Sequence, residues 1–252
     1  MKALITGASS GLGRDFAKIL SNMGYDLILV ARRTERLQDL KDILTTQIEI
    51  KTLDLSDYQN CIKLYDEVKE QKIDILINNA GFGLLGKFFE TSLDREMQMI
   101  DVNIKAVHIL TKLFLRDFMN RDSGYILNIS SSASFFSGPL MSTYYATKNY
   151  VTRLTEAIHK ELQVVKSNVY IGVFCPGPIA TEFNQVAQVK EDLKSLNSEK
   201  AVNYAIHKMF RRKFLIIPGF LNKCLYLFRN LIPNALLLTI TYQIQKKKEG
   251  KK

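Results

Sequence analysis

The sequence predicts an α/β fold, a doubly wound parallel β-sheet of about seven strands with helices on both faces. Three observations predict it. Short apolar runs recur along the chain, and runs such as Asp26–Ala31 (Asp-Leu-Ile-Leu-Val-Ala) read as parallel strands buried on both sides. Longer stretches between them carry apolar residues at helical spacing, beginning with Phe16, Ala17, Ile19 and Leu20. The first strand also passes straight into a glycine-rich turn that opens a helix. Six or seven such alternations require right-handed crossovers on a parallel sheet.

Composition bounds the class. With 252 residues, 46 % of them apolar, the chain can bury one large core. Its three cysteines, Cys61, Cys175 and Cys224, are far apart, odd in number and without metal-ligand spacing. That suits reduced thiols in a cytosol and no metal site. The first strand is predicted to start at Lys2, so no signal peptide is expected, and no run of 18 apolar residues predicts a transmembrane helix. The net charge of +10 is uneven. Residues 201–252 hold 11 of the 35 bases and 1 of the 25 acids, which leaves 24 of each sign in the first 200 residues.

Taken in order, Lys2–Thr6 is the first strand and Thr6-Gly-Ala-Ser-Ser-Gly-Leu-Gly13 the turn. Glycines there let a backbone approach a pyrophosphate, and the following helix N-terminus offers free N–H groups. The spacing is Gly-x3-Gly-x-Gly, and a generic tight turn is the bland alternative. Asp26–Ala31 is the second strand, followed at once by Arg32 and Arg33. In a dinucleotide fold this strand end meets the adenosine ribose, where arginine suits a 2′-phosphate and an acid would suit a 2′-hydroxyl. The arginines therefore point to NADP(H), against the plainer reading of two solvated side chains.

Ile48–Leu53 is the third strand. Asp54 after it could accept from an adenine amino group, and Asp57 is a predicted N-cap for a helix over Tyr58–Glu70. Ile73–Ile77 is the fourth strand, closed by Asn78-Asn79-Ala80-Gly81. Residues 91–119 carry two helical patterns with Asp101-Val102-Asn103 between them. An asparagine inside a helix competes for backbone hydrogen bonds, so Asn103 predicts an irregularity. Tyr125–Ile129 is the fifth strand and leads through a Ser/Gly/Pro loop into a helix reaching about Val165. Val169–Cys175, a helix at Ala201–Phe210 and a last strand at Phe214–Ile217 complete the pattern. Phe183 to about Leu196 is polar and irregular, as a lid would be.

The helix after the fifth strand carries Tyr144 and Lys148, four residues apart and on one face. An ammonium near a phenol lowers its pKa from about 10, and a phenol brought towards neutrality can trade a proton with an alcohol or ketone. Ser131, in the loop before it, could bond the same substrate oxygen. The pair alone is a weak signal, because a half-buried ring beside a solvated amine looks the same.

In combination the motifs are specific. Thr6-Gly-x-x-x-Gly-x-Gly13, Asn78-Asn-Ala-Gly81, Asn103, Ser131, Tyr144-x-x-x-Lys148 and Pro176-Gly177 occur in the order of the short-chain dehydrogenase/reductase family, with its 13-residue step from Ser131 to Tyr144. Over residues 2 to about 182, and again at Phe214–Pro218, the chain resembles that family. The resemblance implies a Rossmann fold and an oxidoreductase acting on CH–OH groups with NADP(H). It implies Tyr144 as general acid, Ser131 as the group polarising the substrate carbonyl, Lys148 as the modulator of Tyr144 and holder of the nicotinamide ribose, and Asn103 as anchor of a proton-relay water. For the cofactor it implies Gly7, Ser9, Ser10, Gly11, Leu12 and Gly13 at the phosphates, Asp54 and Leu55 at adenine, and Asn79, Ala80 and Gly81 at the adenine ribose. Pro176, Gly177, Ile179 and Thr181 then meet the nicotinamide. Family members form dimers or tetramers through the helices bearing Asn103 and Tyr144, so a homo-oligomer is expected.

On this reading residues 1–220 form the dinucleotide-binding domain and 221–252 a basic, apolar extension with helical character. Three readings fit the extension: a cover for the substrate pocket or a subunit interface, a peripheral contact with an anionic membrane, or a site for an anionic thioester carrier. Nucleic acid is not expected, since no reading motif accompanies the charge. The expected location is the cytoplasm, with peripheral membrane association as a variant. Phe135, Phe136, Leu140, Met141 and Phe183 suggest a hydrophobic ketone or alcohol substrate, of 3-oxoacyl or ring type. The alternatives are an NAD-linked hydroxy-acid or hydroxy-amino-acid dehydrogenase and a non-catalytic NADP-sensing scaffold.

Overall fold

In the computed structural model, which describes all residues except 180, 188, 190–194, 229–230 and 249–252, seven parallel strands form one sheet in the order β3-β2-β1-β4-β5-β6-β7. They are β1 (Lys2–Thr6), β2 (Asp26–Ala31), β3 (Ile48–Thr52), β4 (Ile75–Asn78), β5 (Tyr125–Ile129), β6 (Tyr170–Phe174) and β7 (Leu215–Ile216). Strand order reverses between β1 and β4, which opens a crevice at their carboxyl ends, where such sheets bind ligands.

Side chains alternate across the sheet and feed two cores. Ala3, Ile5, Leu27 and Leu29 face α1 (Gly11–Asn22), α2 (Thr34–Asp42) and α8 (Ser198–Phe210), packing on Phe16, Leu20, Leu37, Val202 and Met209. Leu4, Ile28 and Val30 face α3 (Tyr58–Val68), α5 (Val107–Asn120) and α6 (Ser142–Val164), packing on Leu64, Phe114, Phe118 and Leu162. At roughly 1.5–3 kcal/mol for each large apolar side chain fully buried, these two layers are the main stabilising term.

Local chemistry sets the element ends. Asp57 caps α3 by accepting from the Gln59 amide at 2.9 Å, as its sequence position predicts. Between α4 (Leu93–Ile100) and α5, residues Asp101–Ala106 wind as a π-helix, and the fully buried Asn103 lies inside it. The predicted irregularity is therefore a π-bulge, the wider turn that releases side chains and backbone for other partners. The predicted strand at Phe214–Ile217 shrinks to Leu215 and Ile216, paired with Val173 and Phe174 of β6. Of the predicted lid, Phe183–Val186 is the short helix α7 and Leu196 bridges to Ile179; 188 and 190–194 lie outside the described residues. The C-terminal region folds as α9 (Phe220–Phe228) and α10 (Asn234–Lys248).

Candidate active site

The cradle at the crevice is built by the adjacent ends of the parallel strands β1 and β4. Thr6 Oγ1 accepts from the amides of Asn79 and Ala80 at 2.9 and 3.0 Å, and Asn79 Nδ2 donates back to the Thr6 carbonyl at 2.9 Å. Gly7 turns with φ +66°, a conformation that favours glycine. A Cβ on Gly13 would lie 2.6 Å from Asn79 Nδ2 and would also collide with the Gly7 carbonyl. The glycine spacing is thus required by strand-to-helix packing as well as by any ligand. The α1 N-terminus is open: Ser10, its N-cap, makes no side-chain cap bond and the first turn has no acid. Four helix amides without internal partners form a ready anion site.

Cations converge on this mouth. Arg33 Nη2 donates to Ser10 Oγ at 2.9 Å and Ser9 Oγ at 3.2 Å, and Arg33 Nη1 to Glu182 Oε2 at 3.0 Å. Arg36, one turn along α2, donates to the other Glu182 oxygen at 2.5 Å. These arginines hold the Glu182 carboxyl below its ordinary range. Arg32 lies 3.7 Å from Asp54. Burial pushes the Asp54 carboxyl up, but bonds from the Ser56 amide and hydroxyl and the Arg32 charge outweigh it and hold it low. Arg36 and Glu182 were not legible as site residues, although Arg36 sits at i+3 from Arg33 on the same helix face.

Beyond the crevice, β5, the Ser131 loop, the π-bulge and α6 bring together the other predicted residues. The Asn103 side chain pairs with both backbone groups of Phe82, accepting from its amide at 3.1 Å and donating to its carbonyl at 2.9 Å. It also donates to Thr147 Oγ1 at 3.0 Å. Asn103 therefore fixes the chain after Gly81 against α6. Lys148 Nζ donates to the Ile129 carbonyl at 3.0 Å and lies 5.9 Å from the Tyr144 ring centre. Ser131 Oγ accepts from the Ala133 amide at 3.1 Å, and the Ser131 hydroxyl favours the ionised form of the Tyr144 phenol.

The electrostatics differ from the expectation that Lys148 lowers the Tyr144 pKa. Burial pushes the Tyr144 phenol far up, against the opposing influence of the Ser131 hydroxyl, and burial lowers the Lys148 ammonium to about 8. Desolvation disfavours the charged form of each group, and it is the largest influence on both. The adjoining Tyr145 is turned elsewhere, accepting from Gln245 Nε2 of α10 at 2.5 Å. Ser130, next to Ser131, is buried and donates to the Lys148 carbonyl at 2.9 Å.

One cavity of about 600 Å³ runs from the glycine turn past Asp54, Gly81, Ser131, Tyr144, Lys148, Gly177, Ile179 and Thr181. Its far wall is apolar: Phe82, Val102, Phe136, Met141 and Phe183 meet Leu237, Ile240 and Ile244 from α10. Of the aromatic and aliphatic residues expected there, Phe135 instead packs with Val173, Ile217 and Tyr226, its ring 4.9 Å from that of Tyr226. Leu140 packs beside Leu84 and Leu85 under the wall. Arg95 and Lys248 reach the lining from segments that the sequence did not connect to it. Among the described residues no group of three His, Cys, Asp or Glu could hold a metal ion.

A parallel sheet with a glycine-lined anion cradle at its switch point defines a dinucleotide-binding protein of the doubly wound class. The short-chain dehydrogenase family model matches residues 1–192, and the chain belongs to that family of oxidoreductases. It is 33 % identical over 219 residues to a probable NADP-dependent dehydrogenase of Haemophilus influenzae, covering 81 % of this chain and 85 % of that one. Among solved structures, a short-chain dehydrogenase from Sphingobium yanoikuyae in complex with NADPH superposes with a TM-score of 0.82 at 28 % identity, over 93 % of this chain and 96 % of the other. A short-chain dehydrogenase/reductase from Burkholderia phymatum in complex with NAD gives a TM-score of 0.84 at 23 % identity, over 91 % and 92 %, a likeness of fold.

Proposed function

We propose that the protein is an NADP(H)-dependent oxidoreductase that interconverts a hydrophobic ketone and its secondary alcohol. The observation that supports it most is the convergence of Ser131, Tyr144 and Lys148 on one cavity whose near end is polar and basic and whose far end is apolar. The glycine cradle fits a pyrophosphate, because the Gly13 contact leaves no room for a side chain and the α1 amides face it. Gly7 to Gly13 would hold the phosphates, Arg32, Arg33 and Arg36 a 2′-phosphate, Asp54 and Leu55 the adenine, Asn79 to Gly81 its ribose, and Pro176, Gly177, Ile179 and Thr181 the nicotinamide. A bound nicotinamide supplies hydride transfer, and the protein supplies orientation and a proton.

Tyr144, kept protonated by its buried position, donates its proton to the carbonyl oxygen during reduction. Ser131 donates a hydrogen bond to the same oxygen and stabilises the charge that develops there. Lys148 holds the nicotinamide ribose and, once charged, favours the phenolate left behind. Asn103 sets the distance between the Gly81–Phe82 segment and α6 and orders the relay that returns a proton. The wall of Phe136, Met141, Phe183 and Ile240 suits an acyl chain or a ring. In this scheme residues 1–220 are the catalytic domain and 221–252 its cover, and the protein assembles as a homodimer or homotetramer through α5 and α6.

The test is fluorescence titration with NADPH and NADH on the wild type and on Arg32→Ala/Arg33→Ala, followed by an NADPH-consumption assay on a panel of hydrophobic ketones. The expected result is a strong NADPH preference that collapses in the variant, with turnover of at least one ketone. NADH bound as tightly as NADPH by the wild type overturns the cofactor assignment.

A further inference from the structure

The two C-terminal helices turn an apolar face to solvent. Phe220 is 83 % exposed, Leu221 72 %, Leu227 68 % and Leu231 76 %, and Phe228 and Leu236 are more than half exposed. Side chains of this kind scattered singly would need no explanation, but here they follow one another from α9 to the start of α10. The charge around them has one sign. From 201 to 248 the sequence has no Asp or Glu, while Lys223, Lys246 and Lys247 project from the same two helices, each exposed. No described helix is long and apolar enough to cross a membrane.

We propose that α9 and α10 dock the protein on the surface of an anionic lipid bilayer, with the apolar face set into the headgroup boundary and the lysines on the anionic headgroups. Burial of apolar area and attraction to anionic lipid act together in such segments. A second copy of the chain is the weaker occupant, because a symmetric contact would set this acid-free surface against itself. The same helices also connect the face to the cavity. Leu225, Ile240 and Ile244 line the cavity while remaining at least 40 % exposed. The docked surface would therefore continue into the apolar wall, and a lipid-soluble ligand could pass from bilayer to cavity without crossing water. The docking surface stands apart from the cofactor assignment.

Co-sedimentation of the full-length protein with vesicles tests it, using phosphatidylcholine alone and phosphatidylcholine with 30 % phosphatidylserine, alongside light scattering of the protein without lipid. Two variants are compared, Phe220→Ser/Leu227→Ser/Leu231→Ser and Lys246→Glu/Lys247→Glu, all at exposed positions and with the thermal melting midpoint by circular dichroism as the folding control. The expected result is wild-type partitioning onto the anionic vesicles that falls at least tenfold in each variant and falls again in 0.5 M salt. Protein left in the supernatant, equal partitioning onto both vesicle types, or a dimer that the serine variant splits would each overturn the proposal, the last assigning the face to a second copy.

Discussion

Arg33 donates from Nη1 to Glu182 Oε2 across 3.0 Å, and so joins the end of β2 to the segment after β6, 149 positions further along the chain. Arg36 holds the other carboxylate oxygen. Glu182 thus occupies, as an internal anion, the cations that the NADP(H) reading gives to a 2′-phosphate. Exposed pairs of this kind are worth about 0.2–1 kcal/mol. Glu182→Gln should then bind NADPH roughly 1.4- to fivefold more tightly, from that same energy, with NADH unchanged. Arg36→Ala should weaken NADPH alone. Titration with both cofactors decides it, and an equal change for NADH would show that Glu182 does not compete with the phosphate.

Tyr144→Phe removes the proton donor and keeps the buried ring, whose centre lies 5.2 Å from that of Phe183. Turnover should fall by at least about a thousandfold, within the usual range for an essential acid and base, while the NADPH dissociation constant stays within about threefold. Near-wild-type activity in a steady-state assay would remove Tyr144 from the mechanism.

Lys148 carries a pH signature. Its folded-state pKa, about 8, lies below the ordinary lysine value, so between pH 8 and 10 the unfolded chain binds more protons than the folded one. Stability of the cofactor-free protein should therefore rise with pH across that window, by at most about 1.4 kcal/mol per pH unit. Above it the raised Tyr144 phenol acts in the opposite sense, because the folded state then holds the extra proton. Lys148→Met should flatten the rise and melt higher than the wild type at pH 7, with no turnover. Denaturant midpoints at pH 7, 8, 9 and 10 check this; parallel curves for the two proteins would contradict the assignment.

Gly13→Ala places a methyl against Asn79 Nδ2 and the Gly7 carbonyl. Backbone cannot yield there as a flexible side chain would. A loss of about 1–3 kcal/mol is expected, read as a lower thermal midpoint, together with NADPH binding weakened more than tenfold. Gly24→Ala, away from the site, separates stability from binding: its methyl meets nothing within 4 Å but the backbone there has φ +85°, so it should lower the thermal midpoint and leave NADPH binding unchanged.

Much of the fold was legible because its signals are local. Asp26–Ala31 was readable to the residue, since a strand buried on both faces is apolar throughout and Arg32 ends it abruptly. Asn103 announced the π-bulge by being a poor helix residue in a helical stretch. What stayed hidden depends on contacts across the chain. Glu182 reads as an ordinary polar residue until Arg33 and Arg36 reach it. Gln245 and Ile240 look like surface positions until α10 lies over α6, and Phe135 looks like a pocket residue until Tyr226 covers it. The direction of the Tyr144 shift was hidden for the same reason, since charge spacing is written in the sequence and burial is not.

Thr6 and Asn79 are 73 positions apart, and their mutual hydrogen bonds exist only while β1 and β4 lie side by side at the middle of the sheet. The nucleotide cradle and the central strand pair are in this sense one object. A chain that loses the pairing loses the cradle with it, whereas an opening confined to the edge strand β7 leaves the cradle in place. Nucleotide binding then acts as a brake on global unfolding, adding RT ln(1 + [L]/Kd) to the stability of the whole domain. The cell's supply of the dinucleotide would set how long the folded chain survives, as well as how fast it works.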